Sequence, residues 1–221
     1  MRIVSFVLCI ISASFCVAEE DYRAYGPFFH SDELPSALFF FSEVESGDSW
    51  FLRKALRNHE EVNTIVMSSP GGNVADGLLM AGIIHDKGLR TYIPQKDFYS
   101  EEGICYSACS YMFLAGKDRI ADGKLGVHQF KSENENEKQK VGTAQEGTQY
   151  VVSEIIGFLN EFETPPFVYE RMFEDDEMYI FNQKDLNKIN RSSNEESKTK
   201  LSAPEKNSKL QKILKQKMFG T

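Results

Sequence analysis

The chain has 221 residues, of which 33 are acidic and 25 are basic, and its formal net charge is −8. Residues 191–221 contain eight Lys/Arg and three Glu, a net charge of +5, so the rest of the chain carries −13. Such an acidic body excludes a protein that binds nucleic acid through many phosphate contacts, because that mode of binding requires clustered cations.

The N-terminal residues have the three-part pattern of a secretory signal peptide. Arg2 supplies a basic start, residues 3–11 form an apolar run, and residues 16–18 place small side chains before a cut after Ala18. The apolar run is too short to span a bilayer comfortably. We therefore expect a periplasmic or secreted protein from which residues 1–18 are removed.

Alternating strand and helix patterns follow, and they predict an α/β fold. Residues 19–36 read as an irregular lead-in. Short β-branched or aromatic runs predict strands, and apolar residues three and four apart predict helices. Helices placed between apolar strands are typical of a sheet with parallel strands. In chain order, strands are predicted at 37–44, 62–69, 90–94, 118–121 and 125–130, helices at 49–59, 73–88, 106–116, 142–162 and up to 173, and a strand with a terminal helix within 178–189.

Residues 19–190 have the length of a single domain with a buried core. The tail, 191–221, is polar and poor in aromatic residues, which is typical of a disordered segment. Within it, "LQKILKQKMF" could form a basic amphipathic helix. A solvated tail is the favoured interpretation, and an anchor on a membrane surface or a partner is the alternative.

Two glycines in "SSPGGNVADG" mark a candidate anion-binding loop. Gly71 and Gly72 follow a predicted strand and precede a predicted helix. Glycines at such a point let backbone N–H groups face a phosphate or a tetrahedral oxyanion. The same residues also fit an ordinary strand-to-helix turn that binds nothing. Taken alone, the Pro-Gly-Gly motif favours this ordinary turn.

The stretch "CYSACS" holds both cysteines that would remain after signal cleavage, Cys105 and Cys109. Metal binding is disfavoured because two further ligands would be needed and no second Cys/His cluster is present. A local disulfide or two buried thiols is the favoured interpretation in an oxidising compartment. Ser107 between them is predicted at a helix start, where serine is most often an N-cap. It would be a nucleophile only with a base nearby.

His128 is a candidate for that base. It lies in the apolar run "LGVHQF", 21 residues after Ser107. A histidine in a strand is more often packed and hydrogen-bonded than catalytic, so its position does not by itself assign a role.

The three motifs in this order resemble the Clp protease proteolytic subunit and, more closely, secreted Clp-protease-like proteins of bacteria that carry a C-x-S-A-C serine motif. The resemblance covers roughly residues 39–186. It implies a ClpP/crotonase-like fold of repeated β-β-α units. It also implies Ser107 as nucleophile, His128 as general base, and an oxyanion hole formed by the amides of Gly71, Gly72 and Ala108.

The third catalytic residue is left open by the resemblance. The family has an aspartate nearly fifty residues after the histidine, and Asp175 or Asp176 in "FEDDEMYIF" falls at about that distance. The family motif around this residue is not reproduced here. An acidic surface turn is therefore an equal alternative, and the site would then be a dyad or inactive.

The expected function is that of a secreted serine hydrolase, a peptidase that acts on peptides or unfolded protein segments without a cofactor or metal. The family protease forms stacked rings fed by an ATPase. We expect no ATPase partner outside the cytoplasm, while a homo-oligomer stays open. A catalytically inactive binding or assembly module is the main alternative. A crotonase-like acyl-CoA enzyme is a third, which the secretion signal disfavours because coenzyme A is cytoplasmic.

Overall fold

The computed structural model describes residues 22–96, 101–129, 141–174 and 177–192, with the backbone alone at 141–148, 150 and 151. The predicted signal peptide, nearly all of the predicted tail, and the candidate residues Asp175 and Asp176 lie outside these ranges. Within them, no helix combines the length and the hydropathy needed to cross a bilayer.

Strands and helices alternate along the described chain. The strands are β1 (Tyr22–Tyr25), β2 (Phe28–Ser31), β3 (Ala37–Phe40), β4 (Thr64–Met67), β5 (Arg90–Ile93), β6 (Ile104–Tyr106), β7 (Arg119–Ala121), β8 (Lys124–Val127) and β9 (Tyr179–Ile180). The helices are α1 (Asp48–Asn58), α2 (Val74–Asp86), α3 (Ala108–Leu114), α4 (Val141–Glu161), α5 (Pro166–Glu174) and α6 (Gln183–Ile189).

The strands form two mixed sheets, which confirms the α/β class. The larger sheet has the order β1-β2-β3-β4-β5-β7, and its strands from β3 to β7 are parallel. The smaller sheet has the order β6-β8-β9, in which β6 and β8 are parallel and β9 is antiparallel to β8. The parallel pairing expected from the helix–strand alternation is therefore present in both sheets.

The prediction of an irregular lead-in over 19–36 was wrong, because this segment contains the antiparallel hairpin β1–β2. Gly26 lies in its turn with φ +56, a conformation that glycine adopts without strain. A Cβ at this position would lie 2.6 Å from the ring of Phe51, so the turn also packs closely against α1. Strands of four residues with few alternating positions give a weak sequence signal.

The two faces of the larger sheet have separate apolar clusters. Along β3, Leu38 and Phe40 belong to the main core that includes α1, α2 and α3. Phe39 and Phe41 belong to a second cluster made of residues from the sheet and its loops. This alternation follows from the two-residue period of a strand.

Helix α2 connects the core to the region of the predicted site. Asn73 caps it by accepting a hydrogen bond from the amide of Asp76 at 2.9 Å. The Asp76 carboxylate in turn accepts bonds from the amides of Gly47 and Ser49, at the start of α1. Burial disfavours the charged form of Asp76, but these bonds outweigh it and lower the pKa of its carboxyl. The N-termini of α1 and α2 are therefore joined through one carboxylate.

Candidate functional site

Ser107 lies at a sharp elbow between β6 and α3. The prediction of a helix over 106–116 was wrong at its start, because Cys105 and Tyr106 are in a strand and the helix begins at Ala108. The backbone of Ser107 has φ 54 and ψ −123, and Ser107 and Glu163 are the two non-glycine residues of the described chain with positive φ. Strain of this kind is found where a structure holds a functional side chain in place. A strand-to-helix elbow also presents a serine Oγ outward, as in hydrolase nucleophile turns.

Hydrogen bonds on both sides stabilise the elbow. The amide of Ser107 donates to the carbonyl of Gly126 at 3.1 Å, which ties it to β8. The carbonyl of Ser107 accepts from both the amide and the hydroxyl of Ser110, at 2.8 and 2.6 Å. Ala108 packs against α2, where a Cβ on Gly77 would lie only 3.0 Å from the Ala108 Cβ. The strained conformation is therefore determined by contacts with β8, α2 and the first turn of α3.

A disulfide joins Cys105 to Cys109 across Ser107, with the two Cα atoms 5.2 Å apart. Both cysteines are fully buried. The bond links the end of β6 to the first turn of α3, so it closes a small ring that contains the elbow. Of the alternatives considered from sequence, the structure has the disulfide.

Replacing both cysteines by alanine is expected to destabilise the fold by about 2 kcal/mol, the chain-entropy contribution of a loop this short. Urea denaturation would measure this effect. Alkylation of the unreduced protein in denaturant should add no label at Cys105 or Cys109, and two labels there would contradict the disulfide.

His128 is the one side chain of the described residues that hydrogen-bonds the Ser107 hydroxyl. Its Nε2 lies 2.8 Å from Ser107 Oγ. Sequence reasoning placed His128 inside a strand, whereas β8 ends at Val127 and His128 is the next residue. Both Ser107 and His128 are partly exposed, so a solvent-borne substrate can reach the pair. This distance is within the range at which a base can take the hydroxyl proton.

The glycine loop lies against the elbow, but its amides differ in what they can do. The amide of Gly71 donates to Ser69 Oγ at 3.1 Å, so it is engaged, contrary to the expectation that it serves the oxyanion hole. Gly72 forms an isolated parallel β-bridge with Val44. In this bridge the Val44 amide donates to the carbonyl of Gly71, and the Val44 carbonyl accepts from the amide of Asn73. In this pattern the Gly72 amide points away from Val44.

Two amides remain for an oxyanion. Neither the Gly72 amide nor the Ala108 amide donates to any residue that the structure describes. The lack of a side chain at Gly71 allows the glycine loop to pack against the elbow, because a Cβ there would lie 2.7 Å from the Ser107 Cβ and 3.1 Å from the Ala108 nitrogen. The glycine loop therefore lies too close to the elbow for any residue with a side chain at position 71.

Asp175 and Asp176 fall outside the described residues, but the chain on either side of them contacts Val127 and Gln129, the two residues that flank His128 in sequence. The carbonyl of Phe173 accepts a hydrogen bond from Gln129 Nε2 at 3.0 Å. Tyr179 pairs with Val127. Within the described chain, Nδ1 of His128 has no hydrogen-bond partner, so the group that would orient its ring is not among those residues.

Sequence reasoning missed the residues that support the site. Ser69 and Ser110 hold the glycine loop and the elbow by hydrogen bonds, and Val44 holds the glycine loop from the other side. A signal for Ser69 was available, since two serines end an apolar strand just before Pro-Gly-Gly. No sequence signal distinguishes Val44 from other core residues.

One group of possible metal ligands occurs among the described residues: donor atoms of His30, His59 and Glu61 lie within 4.8 Å of one another. The two imidazole rings stack with centroids 3.6 Å apart and an interplanar angle of 17°. Because a ring nitrogen binds a metal in the plane of its ring, stacked parallel rings do not direct their lone pairs at one ion. The rings bond Pro35, Tyr25 and Glu61 instead. We interpret the group as packing between the hairpin and α1.

The resemblance to Clp-protease-like proteins rests on the sequence motifs alone, because comparison with known proteins found no relative. No protein-family model matches the chain, and no curated protein matches it either.

Proposed function

We propose that this protein is a secreted serine hydrolase, a peptidase in type, in which Ser107 is the nucleophile and His128 the general base. The observation that carries the proposal is the 2.8 Å contact between His128 Nε2 and Ser107 Oγ, made at a strained strand-to-helix elbow. A serine hydroxyl is a weak nucleophile until a neighbouring base accepts its proton. The pair has the chemistry and the distance for that step.

The proposed reaction is acyl transfer. Ser107 Oγ attacks the carbonyl carbon of the substrate while its proton moves to His128 Nε2. The amides of Gly72 and Ala108 donate to the oxygen that becomes negative. The tetrahedral intermediate then expels the amine or alcohol, which takes the proton from His128, and an acyl-enzyme remains. Water, deprotonated by His128, attacks this ester and releases the acid and Ser107.

The chain order of the site supports a ClpP/crotonase-like fold as part of the proposal. A strand leads to the glycine loop and α2, a second strand leads to the elbow and α3, and β8 then leads to His128. The secreted location rests on the predicted signal peptide. Peptide or unfolded-protein substrates follow from the resemblance, since the same site chemistry hydrolyses both amides and esters.

A fluorophosphonate probe tests the proposal, because it reacts covalently only with an activated serine. We expect the purified protein to be labelled at Ser107, and Ser107→Ala to remove the label completely. His128→Ala should slow labelling by several orders of magnitude, and loss of a triad residue costs up to about 10⁶ in kcat. Ser153→Ala on the exposed side of α4 is the matched control and should label normally.

A catalytically inactive binding module is the second candidate. The observation in its favour is that Nδ1 of His128 has no orienting partner among the described residues. Failure of the folded wild-type protein to react with the probe would favour this candidate over the hydrolase. Circular dichroism of the same sample would establish that it is folded.

Asp175→Asn and Asp176→Asn separate a triad from a dyad. We expect one of the two variants to lower kcat by up to about 10⁴, because a carboxylate on Nδ1 fixes the histidine tautomer and stabilises the imidazolium. The other variant serves as its control, since it removes the same charge one residue away. Steady-state hydrolysis of a small ester would measure both. Full activity in both variants would show that the site is a dyad.

A further inference from the structure

The backbone of Ser69 is bonded to the strand that leads to the nucleophile. Its amide donates to the carbonyl of Ile104 at 2.7 Å, and its carbonyl accepts from the amide of Tyr106 at 3.0 Å. These two bonds form the isolated parallel bridge between Ser69 and Cys105. Tyr106 directly precedes Ser107 in the sequence. The chain that leaves β4 is therefore joined to β6 immediately before the elbow.

The side chain of Ser69 is bonded to the glycine loop. Its Oγ accepts a hydrogen bond from the amide of Gly71 at 3.1 Å. Ser69 is only 1% exposed, so solvent does not compete for this bond. Pro70, between the two residues, has a fixed φ and no N–H that could take the place of the Gly71 amide. The bond therefore holds the peptide plane between Pro70 and Gly71 in one orientation.

A second hydrogen bond holds the next peptide plane of the loop. The amide of Val44 donates to the carbonyl of Gly71 at 2.7 Å. Because the peptide bond is trans, the N–H of Gly72 points opposite to this carbonyl and away from Val44. Gly71 has a φ of +103 and, as a glycine, could adopt many other backbone conformations. Without the Ser69 bond, only one of the two peptide planes that meet at Gly71 would be held.

We propose that Ser69 is a positioning residue for the oxyanion hole. Its hydroxyl holds the amide of Gly71, and it thereby keeps the glycine loop in the orientation in which the amides of Gly72 and Ala108 donate to one oxygen. The inference rests on the proposed hydrolase function, and it names a side chain on which one oxyanion donor depends. Ser69 acts through Gly71 and is not itself a catalytic residue.

Ser69→Ala is expected to lower kcat for a small ester while KM stays near the wild-type value. The buried Gly71 amide loses its acceptor in this variant, so the loop should turn to bond this amide elsewhere, and the Gly72 amide moves with it. Complete loss of one oxyanion donor costs about 10²–10³ in kcat, and for a displaced donor we expect about 10- to 100-fold. KM should change little, because an oxyanion donor acts in the transition state and not on the bound substrate.

Ser68→Ala is the matched control for Ser69→Ala. Ser68 is also buried, and its Oγ also accepts from a backbone amide, that of Ile104, at 3.0 Å. That bond joins the chain after β4 to β6, but it does not involve the glycine loop. We therefore expect Ser68→Ala to keep kcat near the wild-type value, with circular dichroism to establish that both variants are folded.

The outcomes of this experiment separate the inference from the proposed function. A loss of kcat in Ser69→Ala no larger than that in Ser68→Ala would overturn the inference and leave the hydrolase function standing. A wild-type protein that neither hydrolyses the ester nor reacts with a fluorophosphonate at Ser107 would overturn the proposed function, and the inference with it.

NMR of the wild-type protein tests the inference without any substitution at Ser69. Reaction of Ser107 with a fluorophosphonate places a phosphoryl oxygen where the oxyanion of the transition state would lie. The amide protons of Gly72 and Ala108 should then shift downfield, while that of Gly71 should keep its position because Ser69 Oγ remains its acceptor. A shift of the Gly71 amide as large as that of Gly72 would overturn the inference, because Ser69 would have released this amide to the oxyanion.

Discussion

Replacing Gly71 with alanine is expected to lower the rate of reaction at Ser107 by at least about 10²-fold, because displacement of a reacting group by about 1 Å has that effect. The new Cβ would lie 2.6 Å from the carbonyl oxygen of Tyr106 and 2.7 Å from the Ser107 Cβ. Neither neighbour is the end of a flexible side chain, so the elbow must move. The φ of Gly71, +103, adds backbone strain of about 1–2 kcal/mol.

Gly47→Ala is the matched control for this prediction. Gly47 has a similar φ of +95, and a Cβ there would meet nothing within 4 Å. It should therefore lose a similar amount of stability through strain while labelling at Ser107 stays near the wild-type rate. Urea denaturation and the labelling rate would be measured on both variants. Equal labelling of Gly71→Ala and Gly47→Ala would show that the contact with the elbow does not govern reactivity.

Arg119→Met is expected to reduce the free energy of unfolding by about 3–5 kcal/mol, the cost of breaking a buried charged network. The guanidinium of Arg119 is fully buried and donates to carbonyls at the ends of three helices. Burial lowers its pKa to about 10, so it still carries its charge at neutral pH. The acceptors are the carbonyls of Leu114 in α3, Phe162 and Glu163 after α4, and Ile189 in α6.

The expected loss of stability in Arg119→Met is large because methionine cannot donate to the helix-end carbonyls that Arg119 bonds. The last carbonyls of a helix have no partner within the helix and carry the negative end of its dipole. Each buried carbonyl left without a donor costs about 1–3 kcal/mol. Arg119→Lys should reduce the free energy of unfolding by less, because lysine keeps the positive charge. Some loss should remain, because lysine lacks the planar guanidinium that reaches several carbonyls at once.

Arg90→Met is the control for Arg119→Met. Arg90 lies on β5 and pairs with Asp118 at 3.2 Å, but its side chain is 38% exposed. Solvent reaches the guanidinium of this pair, although the Asp118 side chain is only 8% exposed, so we expect a cost close to that of a surface ion pair, about 1 kcal/mol. Urea denaturation of both variants, fitted with one common m-value, would compare their free energies of unfolding. A loss at Arg119 no larger than that at Arg90 would contradict the structural role assigned to the buried guanidinium.

The elements predicted best from sequence are those with a strong local pattern. Helix α2 was predicted at 73–88 and runs from Val74 to Asp86, with Asn73 as its N-cap. Strands β4 and β5 lie within their predicted ranges. Ser107 was predicted at the start of a helix, and its strained elbow was not predicted, because cysteine, alanine and serine do not indicate a residue with positive φ. That conformation depends on contacts with β8 and α2, which are distant in sequence, and on the disulfide between Cys105 and Cys109, whose formation the sequence analysis left open.

By itself the sequence determined the α/β class, the glycine loop after β4, and the residue types available for acyl transfer, because these depend on periodicity and on composition over short windows. Only the tertiary structure decided that Ser107 and His128 lie 2.8 Å apart and that Ser69 engages the Gly71 amide. It also decided that Arg119 joins three helix ends. These contacts join residues from separate strands and helices, and their geometry follows from how the two sheets and the helices pack together.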